Sequence, residues 1–220
     1  MIVPAIIPRS LEHLRETLAR LPFARSLQID LVDGRFVPDV SWPYNGGDPE
    51  DARSLLTNRE VEMDLMVERP EAAARVWLEL GVARIVFHLE ALLNWDEISK
   101  LKQDFEFKLG LALNNDTLLE KLYPHIEKID YVQLMGIKEI GRQGQPFDER
   151  VVSRAREMKT LYPNMEVSVD GSVNEKTLPL LSAAGVDRFV AGSALLSASD
   201  PSEEYSKLLK IALASRQEEI

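Results

Sequence analysis

Cysteine is absent from all 220 residues, which excludes disulfides and thiolate metal centres. No apolar run approaches the roughly 18 residues a membrane-spanning helix needs. The opening "MIVPAIIPRS" is apolar, but it lacks a basic leading segment and a small-residue cleavage site, so no signal peptide is expected. Positive charge is scarce too: 26 Lys and Arg stand against 36 Asp and Glu, a net charge of −10. No basic stretch could replace phosphate counterions, which argues against nucleic acid as a partner. A small phosphorylated ligand stays possible, because a few backbone N–H groups and one Arg can hold a phosphate locally. The expectation is a cytoplasmic protein without a membrane or nucleic-acid partner.

What is present suits one sizeable core, with 45% apolar and 28% charged residues. Short apolar runs that suit β-strands fall at 2–7, 26–32, 60–67, 83–89, 107–113, 129–135, 165–170 and 187–192. Amphipathic segments that suit helices lie near 10–21, 48–57, 70–80, 94–103, 116–122, 148–161, 174–184 and 201–214. Alternating strands and helices with short links imply parallel strands with helical crossovers. Eight such units predict a (β/α)8 TIM barrel, a single α/β domain over residues 1–220. The rival, a doubly wound open sheet, usually shows a G-x-G-x-x-G turn after its first strand, and "IIPRSLEHL" has no glycine there.

Active sites of such barrels lie at the C-terminal strand ends. Strand residues two apart share a face, so Gln28 and Asp30 point the same way in "LQIDLVDGRFVPD". The same period aligns Glu62, Asp64 and Met66, and then Ser168 and Asp170, while His88 ends "RIVFH". A lone Asp at a strand end is most often a turn or cap residue. Three aimed into one barrel resist that explanation, because close carboxylates repel and need a cation or a shared proton. His88 is open to two readings, a hydrogen-bonded core residue or a functional one. Met66 and Met135 are open likewise, since filling the core is the commoner use of methionine. Glycine marks three successive loops: "GRQGQ" at 141–145, "DGS" at 170–172 and "AGSA" at 191–194. Each alone is a weak signal. The loops after strands seven and eight, with a short helix such as "GSALL", are where barrels commonly bind phosphate.

The blocks "LQIDLVDGRFVPD", "VEMDLMVERPE", "IVFHLEA", "LGLALNNDT" and "EVSVDGSVNEKTLPLLSAAGVDRFVAGSALL" occur in an order and spacing that resemble the ribulose-phosphate 3-epimerase family over residues 2–210. The resemblance implies a (β/α)8 barrel, a phosphorylated sugar substrate and a homo-oligomer. It also implies one divalent metal, held in the family by His-x-Asp on the second strand, His on the third and Asp on the seventh. The two Asp positions are Asp30 and Asp170, which the resemblance makes the acid and base. The two His positions are Gln28 and Asp64 here. Ala5 replaces a serine, Val32 replaces one capping methionine, and Met66 and Met135 match the other two. The sixth loop, "EIGRQGQ", is one residue longer than the family pattern, has no proline and contains Arg142. In the phosphate loops Gly171-Ser172 stands for Gly-Gly, and Gly192-Ser193 is intact.

Carboxylate and amide oxygens suit magnesium, calcium or manganese, whereas imidazole suits zinc and iron. A Gln28/Asp30/Asp64/Asp170 set is therefore expected to favour Mg or Mn over Zn or Fe. Alternatively no metal is bound, and Asp64 is a third acid/base or a sugar-hydroxyl ligand. The leading expectation is an isomerase, a sugar-phosphate 3-epimerase with Asp30 and Asp170 as acid/base. Gly144, Gly171, Ser172, Gly192, Ser193 and Arg142 would hold the phosphate, and Met66, Met135 and His88 would contact substrate. Two alternatives stand: another phosphosugar isomerase, aldolase or decarboxylase, and a non-catalytic phosphate-ligand-binding barrel.

Overall fold

In the computed structural model, which describes residues 1–91 and 93–217, eight parallel strands close into a barrel in sequence order. They are β1 (Ile2–Ile6), β2 (Ser26–Val32), β3 (Glu60–Met66), β4 (Arg84–His88), β5 (Lys108–Leu113), β6 (Tyr131–Met135), β7 (Glu166–Asp170) and β8 (Arg188–Ala191). Closure comes from β1 pairing with β8, with Val3 opposite Val190. Helices α1 (Leu11–Arg20), α2 (Arg53–Leu56), α3 (Pro70–Glu79), α4 (Trp95–Asp104), α5 (Arg150–Leu161), α6 (Leu178–Ser182), α7 (Ser193–Leu196) and α8 (Pro201–Gln217) lie between or after the strands. Leu92 and residues 218–220, part of the expected domain, lie outside the described residues. Among the described residues no helix is long and apolar enough to cross a membrane.

The strand alternation explains where the core sits. Outward residues such as Ile29, Leu31, Met63, Leu65, Phe87, Leu111 and Val169 join one large apolar cluster with the helices. Inward residues are largely polar, and their bonds run between strands that are not neighbours. Gln28 on β2 reaches Asp170 on β7, Gln133 on β6 reaches Asp64 on β3, and Arg188 on β8 reaches Glu62 on β3. Such contacts have to cross the barrel interior. Below them Arg84 donates to Glu62 at 2.6 Å and lies over the Tyr131 ring, 4.0 Å from its centroid.

Three helical expectations change. The segment expected at 48–57 divides into a 3₁₀ turn, Pro49–Ala52, and the single turn α2. The one expected at 116–122 shifts to a 3₁₀ helix, Leu119–Lys128, with Pro124 inside it. Proline lacks the N–H and crowds the preceding turn, so a regular α-helix cannot run through. The segment expected at 174–184 starts late because the Asn174 carboxamide accepts from Lys176 N and Thr177 N, holding a turn ahead of α6.

Candidate active site

The β2–β3 register sets Asp30 beside Asp64, and β6–β7 sets Met135 beside Asp170. One carboxylate oxygen from each of Asp30, Asp64 and Asp170 can be chosen so that all three lie within 4.8 Å of one another. Gln28 sits between two of them. Its Nε2 donates to Asp30 Oδ1 and to Asp170 Oδ2, both at 2.8 Å. Asp64 is held from two other strands: His88 Nε2 lies 2.8 Å from Oδ1, and Gln133 Nε2 donates to Oδ2 at 2.7 Å.

Burial sets the electrostatics. It pushes Asp170 up to about 7, with the Asp64 charge adding to the effect and the Gln28 hydrogen bond opposing it. Asp30 is raised as well, first by burial and then by Asp170 and Asp64. Each carboxyl therefore keeps a proton more readily than an ordinary Asp, the condition for a group that must both give and take one near neutral pH. Burial opposes the charged form of His88, yet Asp64, with Glu90 and Asp170 behind it, outweighs that and its pKa is raised.

The sites expected for phosphate gather around the same mouth. Arg142, Gly144, Gly171, Ser172, Gly192 and Ser193 line one cavity with Asp30, Asp170, Met66 and Met135. Gly171 and Ser172 take positive φ values of 104° and 55°, and Gly192 leads directly into α7. Positive φ at both residues turns the chain sharply at the end of β7, where the two line the cavity. Ala5, where the family pattern has serine, lines the cavity too. Gln28 and Asp64 are wholly buried beneath it. His88 is brought to the cluster but not to the cavity; it stands behind Asp64, with the Phe36 ring 5.6 Å away. Its contacts are those of a hydrogen-bonded core residue rather than of a group facing substrate.

Sequence reasoning missed Gln133, Gln143 and Asp39. Gln133 had a signal, since it shares a face with Met135 two positions on. Asp39 closes the quoted block "LQIDLVDGRFVPD", but its pairing with Arg142, 103 residues away, left no signal along the chain. The three carboxylates make an all-oxygen donor set, while Gln28, also expected as a ligand, turns its Nε2 toward two of them and leaves its buried Oε1 without a partner among the described residues. That set fits a hard divalent cation and contains no free imidazole or thiolate.

Comparison with known proteins bears on the family and the fold. Residues 1–196 match the model of the "Ribulose-phosphate 3 epimerase family". The chain is 31% identical to "Ribulose-phosphate 3-epimerase" of Mycobacterium bovis, over 98% of this chain and 94% of that one. It is 28% identical to the protein of the same name from Schizosaccharomyces pombe, over 98% and 95%. Among solved structures, 3-hexulose-6-phosphate synthase from Salmonella typhimurium superposes with a TM-score of 0.72 at 13% identity, covering 97% of this chain and 99% of that one. At that identity the likeness speaks for the barrel alone. The family match over most of the chain is what decides: this protein belongs to the ribulose-phosphate 3 epimerase family, whose named members are isomerases of a phosphorylated sugar.

Proposed function

We propose that the protein interconverts ribulose 5-phosphate and xylulose 5-phosphate, with Asp30 and Asp170 as the acid/base pair. The observation that carries this reading is the pair itself: two carboxyls from β2 and β7 with raised proton affinity, joined through one amide and lining one cavity with Gly171, Ser172, Gly192 and Ser193. Inverting a carbon next to a ketone requires loss of its proton to give an enediolate and return of a proton on the other face. One carboxylate takes the C3 proton; the other, protonated, delivers one from the opposite side. Gln28 keeps the two carboxyls in a fixed relation, and Asp64 is itself fixed by His88 and Gln133. Met66 and Met135 line the same cavity as Asp30 and Asp170.

A divalent cation bound by Asp30, Asp64 and Asp170 would supply positive charge for the oxygens of the enediolate. The all-oxygen set favours Mg or Mn over Zn or Fe, because the soft and imidazole-preferring ions lack their usual donors. One observation favours a second reading: Gln28 and Asp64 occupy positions where the family pattern has histidine. An isomerase, aldolase or decarboxylase acting on another phosphorylated sugar on this same barrel would account for that change, and a substrate panel separates the two.

The direct test is to incubate the protein with ribulose 5-phosphate in D2O, with chelator and then with Mg, Mn, Zn or Fe(II), and to follow C3 by NMR. Deuterium is expected to enter C3 as xylulose 5-phosphate forms, with Asp30→Asn or Asp170→Asn slowing exchange by about 10²- to 10⁴-fold. Absence of exchange under every condition would remove this substrate from the reading.

A further inference from the structure

The loop after β6 is tied down on both sides of Arg142. Gln143 Nε2 donates to the Ala5 carbonyl at 3.1 Å, at the end of β1. The Ser172 hydroxyl, from the loop after β7, donates to the Gln145 carbonyl. Ser172 adopts φ of 55°, a backbone glycine would take without strain, so what serine adds at this position is the hydroxyl tether. Gly141 lies against Val37: a methyl group built on it would come within 2.8 Å of Val37 Cγ2. With the backbone held this way, the direction of the Arg142 side chain is what remains to be set.

Asp39 sets it. Arg142 donates through Nε to Asp39 Oδ2 and through Nη2 to Asp39 Oδ1 at 3.2 Å, a two-pronged contact along one edge of the guanidinium. Asp39 comes from the loop after β2, which is braced by an antiparallel bridge between Asp33 and Val40. A guanidinium has five donors in a fixed fork, so engaging the Nε edge leaves the Nη1 end free for a second oxyanion. Both side chains are about half exposed, 52% for Arg142 and 40% for Asp39. A pair so wet adds little to folding stability. Arg142 is also the one cation among the described residues lining the cavity that holds Gly171, Ser172, Gly192 and Ser193.

We infer that Asp39 is a positioning residue, which holds Arg142 with its free guanidinium end presented to the phosphate of the bound sugar, so that Arg142 selects phosphorylated over dephosphorylated ketose. The inference rests on the sugar-phosphate reading above and assigns part of its specificity to a loop pair. Asp39 acts only through Arg142 and stands apart from the carboxylates that move the proton.

The test compares wild type, Asp39→Asn, Arg142→Lys and the double variant by calorimetric binding of inorganic phosphate and by KM and kcat on ribulose 5-phosphate. Asp39→Asn is expected to raise the phosphate Kd and KM about fivefold to tenfold, with kcat within about twofold. Arg142→Lys keeps the charge but loses the fork, so it should give a similar loss. Adding Asp39→Asn to it should then change little more. Unfolding temperatures of all four proteins should agree within a few degrees, which a merely structural role of the pair would not allow. Tighter phosphate binding by Asp39→Asn would mean that Asp39 competes with phosphate for Arg142, and would overturn the inference. Unchanged Kd and KM, or a loss confined to kcat, would overturn it as well. Wild-type protein that binds no phosphate and turns over no phosphorylated ketose would overturn the functional reading together with it, whereas wild type that binds while Asp39→Asn binds equally well overturns the positioning role alone.

Discussion

Gln28 donates to two carboxylates that approach from strands on different sides of the barrel, and both hydrogen bonds favour the ionised forms. Burial and mutual repulsion win nevertheless, and Asp170 titrates at about 7 rather than at its ordinary 3.8. This has a consequence for stability. Between those two values the folded protein holds a proton that the unfolded chain has released, so folding loses free energy as pH rises through that interval. The contribution is fully present below about pH 4 and gone above about pH 7. Asp170→Asn removes the titration while keeping the shape, and in chelator it should stabilise the protein at pH 8 by roughly 2 kcal/mol and not at pH 4. That figure is about half of the full shift, because Asp30 and Asp170 titrate as a pair and the proton is shared between them. Thermal melts of both proteins at the two pH values decide it; a destabilised variant at pH 8 would show that the folded state welcomes the Asp170 charge. At this scale much of the site was legible. Period-two alternation aimed Gln28, Asp30, Asp64 and Asp170 at one interior. What alternation could not reveal was partnership, since Gln28 and Asp170 are 142 positions apart.

At the scale of the elements, β5 and β6 show how much the barrel interior depends on side-chain volume. Gly110 on β5 leaves the space that the Tyr131 ring fills on β6; a methyl group at Gly110 would come within 2.8 Å of the Tyr131 hydroxyl oxygen and closer still to the ring. The ring in turn packs on Arg84, which is bound to Glu62. Gly110→Ala should therefore cost about 1–3 kcal/mol through overpacking, measured as an earlier midpoint in urea without a changed slope. An unchanged midpoint would mean that the ring can swing aside. Strand positions followed from sequence to within a residue or two, because each strand has one face on the apolar shell and that face repeats every second residue. The helical crossovers followed less well where Pro124 and the Asn174 turn overrode periodicity with local backbone chemistry.

For the whole molecule, net charge opposes the chemistry proposed for it. A protein of −10 repels an anionic sugar phosphate at long range, and Asp30 and Asp170 in the cavity add to that field whenever they are ionised. Backbone N–H groups and Arg142 attract the phosphate only at short range. Salt screens the first effect more than the second, given a Debye length of about 8 Å at physiological ionic strength. The value of kcat/KM for ribulose 5-phosphate should thus rise, by about twofold to threefold, between 10 mM and 150 mM ionic strength. A fall over the same range would show that the positive potential at the mouth reaches beyond the surface and dominates the approach.

Sequence alone determined the class of the fold, the absence of thiolate chemistry, the acidic character of the surface and the short list of carboxylates, because all of these follow from composition and from a periodicity only two or four residues long. Tertiary structure decided what those carboxylates are: which pair shares an amide, that Asp64 is held by His88 and Gln133, and that Arg142 is steered by Asp39. The reason is closure. A barrel brings β2 against β7 and β3 against β6 across its interior, and burial there changes the proton affinity of groups that look ordinary along the chain.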